Sequence, residues 1–196
     1  MKKIASIFFI ILLGSTANLF SDDNQSIKRI FEGEENAKIT IIAYESLTCG
    51  HCADFHKNVY PELKKDFIEK GLVKIEFRHF PLDIAAFNAS KIGQCNNDGD
   101  PNVLNILFLG QKKWARGKTP EEATKYLKKF LEDEGVNLDF EKCLNNKSIE
   151  DYVLNDRIEG VKKFEVNATP TIIINDKKFD KALNYKNLKK YLEKLI

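Results

Sequence analysis

Apolar residues change their spacing several times along this chain, and each change marks an element. "KITIIAY" (38–44) is a β-branched run suited to a buried strand, and "LVKIEFRHF" (72–80) alternates Val73, Ile75 and Phe77 with Lys74, Glu76 and Arg78. Between them Cys52, Phe55, Val59, Leu63 and Phe67 recur at three and four residues, the spacing of one helical face, until Gly71 stops it. The spacing predicts a strand, a helix beginning at Cys49 and a second strand, with a kink at Pro61, where the ring removes a backbone donor. Later, "TIIIN" (171–175) and "KKF" (177–179) flank the turn-forming pair Asn175-Asp176 and predict a β-hairpin. Tyr185, Leu188, Tyr191, Leu192 and Leu195 mark a closing helix. Its lysines would also suit a membrane surface, but a helix with one face on a sheet accounts for them.

The stretch from 82 to 163 differs in kind. Asp100-Pro101, Thr119-Pro120 with Glu122, and Ser148 with Asp151 are three helix-start signatures in succession. Val103, Leu104, Leu107, Phe108, Gln111 and Trp114 keep helical spacing behind the first, and Ala123, Tyr126, Leu127 and Phe130 behind the second. The fold class is therefore α/β with an inserted helical block. Residues 33–81 and 164–196 are expected to form two parts of one frame and 82–163 the insert, packed on it as a second lobe.

The first residues set the compartment. Lys2 and Lys3 precede an apolar run from Ile4 to Leu13 and then the small residues Ser15, Thr16 and Ala17, the layout of a secretory signal peptide. Residues 1–17 are expected to be removed after Ala17, the alternative being a retained anchor. Residues 18–32 read as a polar leader with little to pack. The body would then face an oxidising exterior, where disulfides persist.

Charge narrows the partners. Loss of Lys2 and Lys3 takes the formal charge from +2 to 0, and the arginines at 29, 78, 116 and 157 form no cluster, so nucleic acid is not an expected partner.

The chemistry lies in "SLTCGHC" (46–52). At a helix N-terminus the unpaired N–H groups and the positive end of the helix dipole favour a thiolate, and a thiol three residues on can donate to it. Cys49 is thus the expected nucleophile, and Cys52, one turn inside on the apolar face, the buried resolving thiol. His51 would add to thiolate stabilisation; its plainer reading is an exposed helix residue. His56 and His79 are read as surface residues and Trp114 as packing. Asn24, Asn88, Asn146 and Asn167 begin glycosylation-type triplets that arise readily by chance.

Cys49-Gly-His-Cys52 on a strand-to-helix turn, with "FRHFPLD" (77–83), "FNASKIGQC" (87–95), "LFLGQKKWA" (107–115) and "FEVNATPTIIIN" (164–175) following in order, resembles the DsbA-like thiol:disulfide oxidoreductases. The resemblance implies a thioredoxin fold with an inserted α-helical domain, no cofactor and no metal. It implies that Pro170 is a cis-proline opposite the cysteines, exposing the Thr169 backbone for pairing with substrate; from the residues alone, Pro170 would be a trans turn residue. Family members often carry a glutamate six residues before the first cysteine. Ala43 stands there, and Glu45 on the same strand face is the candidate proton relay, with an exposed salt bridge as the alternative.

Four cysteines permit three pairings. The resemblance implies a structural disulfide between Cys95 and Cys143, which on the chain-entropy model would stabilise the fold by about 4 kcal/mol; the alternative is two free thiols.

The function expected is introduction of disulfides into reduced secreted proteins in the periplasm by a monomer. The resemblance implies that a DsbB-like membrane quinone reductase reoxidises it. A reductase or isomerase would use the same couple, although the mature chain leaves no room for the separate dimerisation domain of the dimeric isomerases. A zinc module is the remote alternative, since zinc ribbons need a second close cysteine pair.

Overall fold

The computed structural model describes residues 26–196. The expected signal segment, its cleavage after Ala17 and the alternative of an anchor lie outside the described residues. No helix among the described residues is long and apolar enough to cross a membrane.

Five strands form one mixed sheet in the order β1-β3-β2-β4-β5. Strand β2 (Ile39–Glu45) lies at its centre, parallel to β3 (Val73–His79) and antiparallel to β4 (Thr171–Ile174). The hairpin strand β5 (Lys177–Lys178) follows β4 through Asn175 and Asp176, both at positive φ, a conformation these residue types tolerate. The other edge is β1 (Ile30–Glu32), antiparallel to β3. These three residues fall within 18–32, the expected polar leader with little to pack, and they pair with the sheet. Ile30 is buried, and Arg29 beside it pairs with Asp156.

Both faces of β2 are covered, which is why its sequence is almost continuously apolar. Ile39, Ile41 and Ala43 join one core with Cys52, Phe55, Leu104, Leu107, Phe108 and Trp114; Ile42 and Tyr44 join a second with Phe80, Val166 and Ile173.

The helix expected from Cys49 to Gly71 is broken into α1 (Gly50–Asn58), α2 (Tyr60–Leu63) and a π-helical turn over Lys64–Ile68. The break falls at Val59, two residues before Pro61. The ring leaves Pro61 no N–H to bond back along α1, and the chain restarts with proline in the first turn of α2, where a missing donor costs nothing.

Between β3 and β4 lie α3 (Ile84–Gln94), α4 (Asn102–Leu109), α5 (Gln111–Trp114), α6 (Pro120–Asp133), α7 (Phe140–Leu144) and α8 (Lys147–Phe164). Thr119 caps α6 by accepting from the Glu122 N–H, as its signature predicts. Helix α8 starts earlier than Ser148 suggests: Asn146 is the cap and accepts from the Ile149 N–H. It crosses the sheet at Gly160, where a Cβ would come 2.7 Å from the Tyr44 ring. Cys95, at the end of α3, is bonded to Cys143 of α7, with Cα atoms 5.5 Å apart. Helix α9 (Tyr185–Leu192), capped by Asn184, closes the fold and buries Leu188 and Leu192.

Candidate active site

Strand β2 delivers the chain to the turn Ser46–Cys49, and α1 departs from it. Cys49 is the N-cap residue, in extended conformation, with no side-chain capping bond of its own. Its sulfur therefore sits where the first helical N–H groups are unpaired. Cys52, one turn inside, is fully buried, whereas Cys49 is half-buried.

This difference in depth separates the two thiols. Cys49 is pulled down to about 5, chiefly by the hydrogen bond from the Cys52 thiol, against the effect of partial burial. Thr169 and the backbone N–H groups of Cys52 and His51 lower it further. Burial pushes Cys52 far up, and the hydrogen bond to Cys49 and the nearby Glu45 charge act in the same direction. The His51 side chain is exposed; the contact it makes to the Cys49 sulfur is from its main chain.

The Thr169–Pro170 bond is cis, and it presents Thr169 to Cys49. The Thr169 carbonyl lies 3.2 Å from Cys49 Sγ and accepts from the thiol form. The Thr169 hydroxyl, buried and without a hydrogen-bond partner in this state, is available to the thiolate and favours it. Because Cys49 lies below the usual thiol range, the donors outweigh the carbonyl. A groove of about 480 Å³ runs alongside, lined by His51, Phe55, Val59, Thr169, Pro170 and Tyr185 among others.

Behind the cysteines lies a buried polar chain. Glu45 is not in an exposed salt bridge: it is 4% exposed, and its Oε2 is 2.9 Å from His56 Nε2. His56 is not a surface residue either. It is buried, stacks on Phe108 with ring centroids 4.1 Å apart, and donates from Nδ1 to Asn105 Oδ1 at 2.7 Å. Glu45 Oε1 is buried without a partner. His79 is likewise buried; its burial lowers its pKa, and Nε2 meets Gln94 Oε1 at 3.1 Å. The missed signal for His56 was its spacing, since four residues after Cys52 is the apolar face of α1.

The inserted helices also reach the turn. Thr48 donates to Asp83, the cap of α3, at 2.7 Å. Gln111 Nε2 donates to the carbonyls of Leu47 and Cys49 at 2.8 and 2.9 Å. Trp114, fully buried, donates to the Leu107 carbonyl. Among the described residues no cluster of three or more His, Cys, Asp or Glu side chains is arranged to hold a metal ion, and Cys95 and Cys143 are committed to each other.

A family model described as Thioredoxin matches residues 25–194. The crystal structure of Wolbachia pipientis alpha-DsbA1 superposes with a TM-score of 0.76 at 29% identity, covering 87% of this chain and 92% of that one. BdbD from Bacillus subtilis, at 24% identity, shares the fold with a TM-score of 0.67 over 85% of this chain and 92% of its own. Disulfide bond formation protein D of Bacillus subtilis (strain 168) is 27% identical over 175 residues, which is 83% of this chain and 74% of that protein. A Rickettsia conorii protein provisionally named a protein-disulfide oxidoreductase is 27% identical over 157 residues, 79% of this chain and 54% of that protein. The chain thus spans about half the length of the Rickettsia relatives it matches.

Proposed function

The chain belongs to the thioredoxin family, with helices α3–α8 inserted between β3 and β4, and from that premise we propose that it is a thiol:disulfide oxidoreductase that donates the Cys49–Cys52 disulfide to reduced proteins outside the cytoplasm. One observation carries the reading: a half-exposed Cys49 held at about 5 beside a buried Cys52 pushed upward, opposite a cis Thr169–Pro170 bond.

In the oxidised enzyme a substrate thiolate attacks Cys49 Sγ, the bond to Cys52 breaks, and Cys52 leaves and takes up a proton. A second substrate thiolate then attacks the substrate sulfur of the mixed disulfide and expels Cys49 as a thiolate. The substrate has lost two electrons and the enzyme holds a dithiol. A low Cys49 pKa makes Cys49 a good leaving group and stabilises the reduced enzyme, both of which favour donation. Among Cys-X-X-Cys proteins the attacking thiol ranges from about 3.5 in a strong oxidant to about 7 in thioredoxin, and about 5 lies between them.

The remaining roles follow from placement. The Thr169 backbone, which lies beside Cys49, would pair with an extended substrate segment, and the adjacent groove would hold its side chains. Glu45 is the proton relay for Cys52: its Oε2 is engaged with His56, and its Oε1, which has no partner, is free to take up or release the single proton the carboxylate can carry. His51 adds donor character at the mouth of the site. By its likeness to the DsbA proteins, the reduced enzyme would be reoxidised by a membrane quinone reductase of the DsbB type, in the periplasm or an equivalent extracytoplasmic space.

The test is oxidation of a reduced, unfolded disulfide protein by the oxidised chain. The proposal expects stoichiometric disulfide formation by the wild type, none by Cys49→Ala, and trapped mixed disulfides through Cys49 in Cys52→Ala. Unchanged activity in Cys49→Ala would refute it.

A further inference from the structure

We propose that Gln111, contributed by the inserted helices, is a positioning residue that clamps the Leu47 and Cys49 carbonyls and so sets the geometry on which the redox couple depends. The inference rests on the oxidoreductase reading given above and deepens it.

The clamp is built from both sides. On the helical side, Gln111 has little freedom. It is buried; Gly110 before it packs so closely on Phe130 that a Cβ there would fall 2.0 Å from the ring; and Trp114, closing the same short helix, is fully buried and donates to the Leu107 carbonyl. On the other side, the Leu47 carbonyl receives no other hydrogen bond among the described residues. The Cys49 carbonyl also accepts from the Cys52 and Ala53 N–H groups, at 3.1 and 3.2 Å. One amide nitrogen therefore ties down the peptide before Thr48 and the peptide after Cys49, and a buried Leu47 carbonyl left without its donor would pull the turn toward another partner.

The consequence for chemistry is geometric. The Cys49 sulfur is favoured as a thiolate by the N–H groups of His51 and Cys52 and by the Cys52 thiol, all of which lie within one turn of the clamped carbonyl. These donors are effective only while the cap residue keeps its present dihedral angles, φ −78° and ψ 118°. Without the amide the Leu47 carbonyl has no donor, and the turn that leads into Cys49 is free to shift the sulfur away from them. The inserted helices would then act on the redox centre without touching sulfur.

The test uses Gln111→Met, which keeps length and apolar volume but removes both donors. Three quantities are read: the Cys49 pKa from thiolate absorbance of the reduced protein; the equilibrium in which two glutathione thiols reduce the protein disulfide to the dithiol and form glutathione disulfide; and the melting temperatures of both redox forms. The proposal expects the Cys49 pKa to rise by about one unit, and the glutathione equilibrium to move about tenfold toward the protein disulfide. The reduced form should lose more thermal stability than the oxidised form. If Gln111→Met does not fold, Gln111→Asn, which keeps the amide on a shorter stem, carries the test with a smaller shift of the same sign. Equal loss of melting temperature in both redox forms, with pKa and equilibrium unchanged, would reduce Gln111 to packing and overturn the inference. A wild-type protein that does not exchange with glutathione would instead overturn the oxidoreductase reading, and this inference with it.

Discussion

Cys49 and Cys52 are separated by a single helical turn, yet one faces unpaired N–H groups and the other a closed apolar core. Their protonation should be visible in stability. Cys49 folds with its pKa depressed to about 5 against a thiol value near 8.5 when unfolded, so between those limits the unfolded reduced protein binds more protons than the folded one. Reduced protein should therefore gain stability from about pH 5 to about pH 8.5, and lose that gain as pH falls through 5. The oxidised protein has no such group. Chemical denaturation of both redox forms across that range checks it, and parallel curves would contradict it. Above about 8.5 the raised Cys52 opposes further gain.

Glu45→Gln keeps the bond to His56 but removes the acid. Stopped-flow oxidation of a dithiol substrate should slow on the order of 10²-fold, and an unchanged rate would exclude Glu45 as the relay. The cysteine pair and the helix terminus could be read directly from spacing. The burial of Glu45 and His56 could not, because it depends on Asn105, 49 positions beyond His56, and on the Phe108 ring. A single polar residue looks the same in sequence whether its partner is water or a distant amide.

The elements divide along a similar line between local and distant causes. Thr119 capping α6, the Pro61 break and the Asn175-Asp176 hairpin depend on residues within a few positions, and sequence carries them well. Strand β1 was missed because three residues hold little pattern, and it exists only by pairing with β3 more than forty positions later. The start of α8 was displaced because Asn146 competes with Ser148 as a cap, and only the bond to the Ile149 N–H decides between them.

The Cys95–Cys143 bond joins two helices of the insert across 48 positions. Replacing both cysteines with alanine should cost about 4 kcal/mol on the chain-entropy model, measured by denaturant unfolding. The Cys49 thiolate absorbance should stay where it is, since no contact to Cys49 passes through the bond. A large shift of Cys49 would show that α3 or α7 holds the site more tightly than its hydrogen bonds indicate.

Considered together, frame and insert share one apolar core running from Ile39 and Cys52 to Leu107, Trp114 and Leu127. The insert also supplies three polar groups to the redox site: Asp83 to Thr48, Asn105 to His56 and Gln111 to the Cys49 turn. The alternation of strand and helix announced the frame, and the capping signatures announced the insert. How the two meet was not readable, because each contact joins residues tens of positions apart.

The direction in which such an assembly runs is set by the free energy difference between its dithiol and its disulfide. Reference potentials of about −120 mV for a strong oxidant and about −270 mV for thioredoxin bracket the choice. The equilibrium of the Cys49–Cys52 couple with glutathione measures it directly. A potential on the oxidising side, nearer −120 mV, is the result expected from a Cys49 held at about 5, and a potential near −270 mV would contradict disulfide donation.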